Sequence, residues 1–218
     1  FQSSGSPRDL YLAIRRQRQM CIRNRTTVNV TQTQKQAIYN WDSFNISSNT
    51  TLNFNQKGSD WSALNRVNPN TSPVLFLQQA TTNNGYNNPS YIAGKINAPG
   101  NVYVINRNGI IFGAGTQINV HSLVASTLDV GKLGDNQLAR DNYFLTTGVA
   151  SGDTSISSFS LFDPVNGKTS NLIPGNVTVQ AGASVTTNVA TDVDPNGSPG
   201  FVYLFGACLL YTSDAADE

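Results

Sequence analysis

Apolar residues recur at every second position in several short segments of this chain, and this alternation constrains the fold more than any other feature. Val102 and Val104 alternate with their neighbours, and residues 176–185 show the same pattern. A period of two is typical of a strand that buries one of its faces. Asn-Gly, Pro-Gly and Ala-Gly pairs between the segments favour turns, and no amphipathic helical pattern exceeds about three turns. The sequence therefore predicts an all-β core.

Short strands of this kind fit either a β-sandwich or a parallel β-helix. Successive units resemble one another, as GNVYVINRNG, GTQINVHSLV and GNVTVQAGAS show, and such a loose repeat is typical of a solenoid. Abundant asparagine also favours the β-helix, because stacked coils allow identical amides to form ladders along the axis. Residues 27–75, which contain Trp41 and Trp61, are expected to form an irregular cap.

Charged residues separate the ends of the chain from its centre. Only 12% of the residues are charged and the net charge is +1, compared with about 25% in typical soluble domains. This near neutrality argues against a nucleic-acid binder or a polybasic membrane clamp. Six arginines lie in the first 25 residues and three acidic residues in the last five, whereas residues 27–207 hold 17 charged residues among 181 and no Cys, Met or Glu.

The domain boundaries follow from this contrast. Residues 1–26, expected to be disordered or irregular, and residues 208–218 are interpreted as non-native flanks, because they resemble translated sequencing-adapter read-through. A natural basic arm and acidic tail is the alternative interpretation. The folded domain is expected over residues 27–207, with its cap region at 27–75.

Four segments carry a resemblance to a known family. In chain order they are VNVTQTQKQAIYNWDSFNI, LNRVNPN, AGKINAPGNVYVINRNGIIFGAGTQINVHSLVASTLDV and GSPGFVYLFGA. Together they resemble the N-terminal two-partner secretion domain of filamentous-haemagglutinin-type exoproteins, also called the haemagglutination activity domain. The resemblance implies a right-handed parallel β-helix with an N-terminal β cap. It also implies a secretion-targeting and folding-nucleation module of a large surface or secreted exoprotein.

Two asparagine motifs of that family have counterparts here. The motif Asn-Pro-Asn-Leu falls on Asn68, Pro69 and Asn70, with Thr71 in place of Leu, and the motif Asn-Pro-Asn-Gly-Ile falls on Asn106, Arg107, Asn108, Gly109 and Ile110, with Arg in place of Pro. The resemblance implies a role for both in partner recognition and secretion. Considered by themselves, Asn and Gly favour tight turns. Turn stabilisation, with partner contact elsewhere, therefore stays open as an alternative.

The expected partner is an outer-membrane transporter that carries periplasmic POTRA repeats, and the resemblance leaves host-cell glycans or receptors open as partners of the full-length protein. The expected location is secreted or at the cell surface of a Gram-negative bacterium, reached through the periplasm, with the signal peptide missing from this fragment. A core without cysteine suits such an export route. No nucleic-acid partner is expected.

Two other function classes remain as alternatives: a β-helical carbohydrate-active enzyme and a glycan-binding adhesin module. The sequence assigns no catalytic residue, no cofactor and no metal site. His121, the only histidine, is expected to face solvent or a ladder, on the side opposite Ile118. Asp192 and Asp194 precede Pro-Asn-Gly, which favours an ordinary turn over a calcium site or a carboxylate pair.

Overall fold

The computed structural model describes residues 14–17, 20–22, 26–67, 89–131, 136–148, 159–160, 174–187 and 199–211. Within these ranges the chain winds through three sheet faces, which we name A, B and C, and it visits them in the same order in every coil. Each strand of these three faces pairs in parallel with the strand one coil away. The fold is therefore a parallel β-helix, as the sequence predicts.

The strands of each face stack along the axis. Face A contains β1 (Ile14–Gln17), β4 (Gln36–Trp41), β7 (Ser62–Val67), the second half of β9 (Lys95–Ile105), the second half of β11 (Gln117–Ser126) and β16 (Val202–Phe205). Face B contains β2 (Met20–Ile22), β5 (Phe44–Ile46), β8 (Ser90–Ile92), β10 (Ile110–Phe112), β14 (Val177–Val179) and β17 (Leu209–Tyr211). Face C contains β3 (Thr27–Thr31), β6 (Thr51–Asn55), the first halves of β9 and β11, and β15 (Ser184–Thr187).

The inward side of each strand forms the main hydrophobic core. On face C the inward residues of successive coils include Leu52, Phe54, Ile96 and Ile118, all of them fully buried. Each such side chain contributes roughly 1.5–3 kcal/mol by leaving water. The alternation in the sequence thus corresponds to one buried and one outward face per strand.

An asparagine ladder runs along the outward side of face C. The Nδ2 of Asn53 donates to the Oδ1 of Asn29 at 3.0 Å, that of Asn97 to Asn53 at 2.9 Å, and that of Asn119 to Asn97 at 3.1 Å. The four residues are register partners in successive coils. The predicted amide ladder is confirmed.

Residues 27–67 form stacked coils, while the assignment of residues 27–75 to a cap region stays a prediction. Ile14 pairs with Ile38 and Thr27 with Thr51, an offset of 24 residues on two faces. A buried hydrogen bond inside the rod also connects two of these coils: the indole Nε1 of Trp41 donates to the Oδ1 of Asn65 at 3.1 Å. Within the described part of this region, the chain forms coils that stack like those that follow.

Strands also occur in both segments that the composition sets apart. Backbone pairing places β1 and β2 on β4 and β5, and β17 on β14. The division at residues 26 and 207 stays a prediction.

The chain leaves the rod after β11 and covers the outside of face A. This excursion contains α1 (Gln137–Thr147) and the antiparallel pair β12 (Asp129–Val130) and β13 (Phe159–Ser160). Asn136 caps α1 by accepting from the backbone N–H of Ala139 at 2.9 Å. The all-β prediction missed this helix, because its buried side chains include Arg140 and Asp141 and leave no clear apolar stripe. Within the described residues, no helix is long and apolar enough to cross a membrane.

A second hydrophobic cluster forms between the excursion and face A. Ile38, Leu64, Tyr103 and Val124 point outward from successive strands, and Phe144 of α1 packs on them. The rings of Tyr103 and Phe144 meet edge to face with centroids 5.4 Å apart. Burial, and secondarily the nearby Tyr203, raises the pKa of Tyr103 above its usual range. Both sides of face A are therefore buried in this part of the rod.

Buried ion pairs join the excursion to the rod. The Nε of Arg66 lies 3.0 Å from the Oδ1 of Asp129, and its Nη1 lies 2.6 Å from the Oδ1 of Asp141. Burial opposes the charge of Arg66, but the two carboxylates outweigh this effect and raise its pKa. Arg140 is also buried and donates to the Val130 carbonyl at 3.0 Å and to the Ser160 hydroxyl at 2.7 Å.

We expect Asn53→Ala to lower the free energy of unfolding by about 1–2 kcal/mol, because Asn53 both donates and accepts within the ladder. Asn55→Ala is the matched control, since Asn55 is exposed on the same strand, and it should change stability by no more than about 0.5 kcal/mol. Urea unfolding measures both. Equal losses would contradict a stabilising ladder.

We expect Arg66→Met to cost about 3–5 kcal/mol, because the substitution leaves two buried carboxylates without their cation. Lys35→Met is the control, because Lys35 and Asp60 form an exposed pair at 2.6 Å, which is worth about 0–1 kcal/mol. Thermal and urea unfolding of both variants test the difference. A cost for Arg66→Met as small as that of the control would refute the linking role.

Candidate functional site

The second asparagine motif lies at the corner where the chain passes from face A to face B. We name this region the motif corner and define it as residues 106–109 together with the parts of neighbouring coils that stack on them, which are Pro89, residues 174–176 and residues 206–208. Backbone hydrogen bonds connect these layers: Ser90 N–H donates to Gly109 O at 3.0 Å, and Ala207 N–H donates to Gly175 O at 3.0 Å.

The motif itself is a tight turn. The N–H of Gly109 donates to the Asn106 carbonyl at 3.0 Å, and the N–H of Asn108 donates to the Asn106 side-chain oxygen at 3.0 Å. Gly109 has a φ of +119°, a conformation that side-chain-bearing residues rarely adopt. The turn predicted from Asn and Gly is therefore present, with arginine in place of the proline.

The side chain of Asn106 ties the turn to the previous coil. Asn106 is 1% exposed, and its Nδ2 donates to the Ser90 hydroxyl at 3.0 Å. Its amide thus bonds through both ends, as an acceptor from Asn108 and as a donor to Ser90. A carboxylate could not provide both functions here, because it has no donor.

The next coil docks directly on the motif. Gly175 N–H donates to the Arg107 carbonyl at 2.8 Å, and Ile110 N–H donates to the Asn176 carbonyl at 3.0 Å. A Cβ added to Gly175 would overlap the backbone of Asn108. Glycine is therefore required at residue 175 for this close approach.

The motif residues divide into buried and accessible groups. Asn106, Gly109 and Ile110 are buried, whereas Arg107 and Asn108 are half-buried at the surface. Asn108 of the accessible group borders a groove of about 410 Å³ that is lined by Pro89, Asn108, Gly109, Ile111, Pro174, Gly175, Asn176, Thr178 and Ala207. This lining is uncharged, and its polar side chains are those of Asn108, Asn176 and Thr178.

The first motif, Asn68, Pro69 and Asn70, lies outside the described residues. The strand before it, β7, ends at Val67, and Arg66 is the register partner of Ile105, the last residue of β9. The two motifs therefore follow neighbouring face A strands in sequence.

The single histidine is buried, so the expectation that it faces solvent is wrong. His121 is 4% exposed and lies at the irregularity of β11 between Val120 and Ser122. The returning chain covers it, and a side chain on Gly200 would collide with the His121 carbonyl. Asp192 and Asp194 lie outside the described residues. Across the described ranges, no group of three or more His, Cys, Asp or Glu residues could hold a metal ion.

Comparison with known proteins gives two kinds of match. The family model described as TPS secretion domain matches residues 15–200. Two curated proteins are similar over about half of the chain. A heme/hemopexin-binding protein of Haemophilus influenzae strain Rd is 34% identical over 104 residues, which is 48% of this chain and 10% of that protein. Another heme/hemopexin-binding protein of Haemophilus influenzae is 32% identical over 107 residues, which is 49% of this chain and 10% of that protein. The matched segment thus spans about a tenth of the length of these relatives.

We expect Asn106→Asp to lower the free energy of unfolding by about 1–3 kcal/mol, because it removes the donor to Ser90 and buries a carboxylate. Asn108→Asp should change stability by no more than about 0.5 kcal/mol, because residue 108 reaches the surface. Urea unfolding of the two variants side by side tests whether the buried Asn106 stabilises the fold more than the accessible Asn108 does. Equal costs would show that both amides act in the same way.

Proposed function

This chain belongs to the TPS secretion domain family, and from that premise we propose that the motif corner is the surface its transporter recognises. The chain is a secretion-targeting module of a large exoprotein, and its family is not an enzyme family. Membership implies a dedicated outer-membrane transporter and a secreted or cell-surface location in Gram-negative bacteria. Recognition by periplasmic POTRA repeats, on the way through the periplasm, is part of the proposal.

One observation carries the proposed site: the accessible half of the motif continues into a groove. Asn108 contributes an amide to its wall, and Pro89 and Pro174 contribute rigid apolar surface. Amides of this kind both donate and accept hydrogen bonds. A groove with uncharged polar groups and apolar walls suits an uncharged, extended polypeptide segment of the transporter.

The groove is assembled from two distant parts of the sequence. Ile111 and Thr178 are register partners on β10 and β14, although 67 residues separate them. The groove is therefore complete only when the coil of β14 has stacked on the motif. In this proposal the transporter contacts both layers.

The same corner supports a role in folding nucleation. After the excursion, the chain rejoins the rod at residues 174–176, where Gly175 bonds to Arg107 and Asn176 to Ile110. Docking on an already formed turn restores the register of the following strands, and β-helix coils form on a folded neighbour. We propose that the buried half of the motif performs this task while the accessible half meets the partner.

The alternative functions have less support. The two buried carboxylates of the described residues, Asp129 and Asp141, are engaged by Arg66 and do not line the groove, so they are not a free acidic pair for carbohydrate chemistry. We propose host-cell glycans or receptors only as partners of the full-length protein. The names of the two relatives concern heme and hemopexin, and the matched segment is a tenth of their length, so we propose neither ligand for this module.

Export in a strain that carries the cognate transporter tests the proposal. We expect Asn108→Asp to increase the periplasmic fraction and to lower the amount in the medium, because it puts a charge in a neutral groove. Thr178→Asp should do the same from the second layer. Asn55→Asp, an equal change in charge on the outside of face C, is the control and should be exported like the wild type.

The stability of each purified variant separates recognition from folding. If Asn108→Asp and Thr178→Asp keep wild-type unfolding midpoints and lose export, the groove acts in recognition. If both are exported normally, the motif corner is not the recognised surface. Asn106→Asp should also reduce export, but together with its loss of stability.

A further inference from the structure

One tyrosine is exposed in the middle of the rod. Tyr91 is 44% exposed, and its strand, β8, pairs with a strand on each side, β5 and β10. Outside β15, β16 and β17, the other large hydrophobic side chain exposed among the described residues is Leu138 of α1. Tyrosine is one of the residue types that most often supply binding energy at protein interfaces. Tyr91 is therefore a candidate contact residue.

The structure holds the ring of Tyr91 against the rod. A Cβ added to Gly113 would lie 2.7 Å from the Tyr91 hydroxyl oxygen and 2.9 Å from its Cζ, so the ring occupies the space that a side chain at residue 113 would fill. In the previous coil, the Oδ1 of Asn45 accepts from the backbone N–H of Tyr91 at 2.8 Å. A side chain that is already positioned loses little conformational entropy when a partner packs on it.

Tyr91 shares an outward column of face B with two residues of the groove. Ile111 is its register partner in the next coil, and Thr178 is the register partner of Ile111 in the coil after that. Both Ile111 and Thr178 line the groove at the motif corner. The wall of the groove thus continues along the outside of face B to the tyrosine ring, and the three side chains of the column are uncharged.

The spacing of this column favours one conformation of a bound peptide. Neighbouring strands lie about 4.8 Å apart, so Thr178 and Tyr91 are separated by about 10 Å along the rod. A polyproline II helix returns to the same side every three residues, after about 9 Å. A β-strand does so every two residues, after about 7 Å, and its next repeat is too long. A segment that contacts both residues along the rod therefore fits best as polyproline II.

Building on the proposed recognition at the motif corner, we propose that Tyr91 anchors a polyproline II segment of the transporter. The segment lies along the outside of face B. A proline of the segment packs on the ring of Tyr91, and an uncharged polar side chain three residues away lies in the groove beside Thr178. Aromatic rings that line a groove are the usual recognition surface for such segments, because the preformed helix loses little entropy on binding.

Binding of the full 218-residue chain to the detergent-solubilised cognate transporter tests the anchor. Tyr91→Ala should weaken binding by about tenfold or more, whereas Tyr91→Phe keeps the ring and should stay within about threefold of the wild type. Leu138→Ala is the control, because it removes an equally exposed apolar side chain from α1, and it should bind like the wild type. Tyr91→Ala should keep the wild-type unfolding midpoint to within a few degrees, because the side chain is largely exposed.

Gly113→Ala tests the position of the ring without removing it. The added Cβ displaces the far end of the Tyr91 side chain, so binding should weaken in the otherwise wild-type chain. In the Tyr91→Ala background the same substitution should have no further effect, because no ring is left to displace. Equal losses in the two backgrounds would show that residue 113 acts independently of Tyr91 and would overturn the positioned ring.

A competing peptide tests the conformation of the bound segment. An oligoproline peptide, which adopts polyproline II in water, should inhibit binding of the transporter to the wild type. A flexible glycine-serine peptide of the same length is the matched control and should not inhibit. Equal inhibition by the two peptides, or inhibition by neither, would overturn the polyproline II assignment.

Export of the same variants separates failure of the anchor from failure of the motif corner. Wild-type binding and export of Tyr91→Ala, while Asn108→Asp is impaired, would overturn the anchor and leave the motif corner in place. Normal export of Asn108→Asp would refute the motif corner, and the anchor would fall with it. Impaired export of both variants, with wild-type unfolding midpoints, is the result that the proposal predicts.

Discussion

In-register stacking of one coil on the next is the constraint on which the rest of this molecule depends. Each coil has too few residues to bury a core of its own, so its apolar side chains are covered only by the coils above and below. The register then decides which residues meet, as at Leu52 and Ile96 inside the rod and at Asn53 and Asn97 outside it. A slip of one residue would exchange these two sets. The ladder and the core therefore stabilise the same alignment.

The excursion shows how this constraint survives a large interruption. The chain leaves after Ser126 and returns at Pro174, and the strands on either side still stack in register. Three contacts restore the register where the chain rejoins the rod. Gly175 approaches the backbone of Asn108 closely and donates to the Arg107 carbonyl, and Ile110 donates to the Asn176 carbonyl. The motif at residues 106–110 is thus placed where register is most at risk. This placement explains why its asparagine at residue 106 is buried although the turn lies at a corner.

Much of the fold could be predicted from local pattern, because a period of two and Asn-Gly turns report directly on strands and corners. Other features depend on contacts between distant residues. Asn65 interrupts the apolar alternation of β7, and only the structure shows its partner, Trp41. The helix α1 has a weak pattern, since Arg140 and Asp141 are buried beside polar groups. His121 alternates like an outward residue and is nevertheless covered by the returning chain.

The candidate site likewise has a part that local sequence predicts and a part that depends on distant residues. The motif at residues 106–110 and its turn could be predicted, because the necessary residues are adjacent in the sequence. The groove could not, because Pro174, Asn176 and Thr178 reach it only after the excursion. The sequence also could not predict that Asn106 is buried while Asn108 is accessible, since two asparagines in the same short motif look alike in the sequence.

The low charge of the chain has a physical explanation in the stacking itself. Outward residues of successive coils lie about 4.8 Å apart, a distance at which like charges repel by about 1 kcal/mol even in water. On face C one outward column runs Thr27, Thr51, Lys95, Gln117 and Ser184, so its single charge has no like-charged neighbour. The adjacent column replaces charge with amides that bond to one another. A repeated lysine or aspartate would oppose the register at every coil, whereas a repeated asparagine favours it, so the uncharged polar surface is a requirement of the stacked fold.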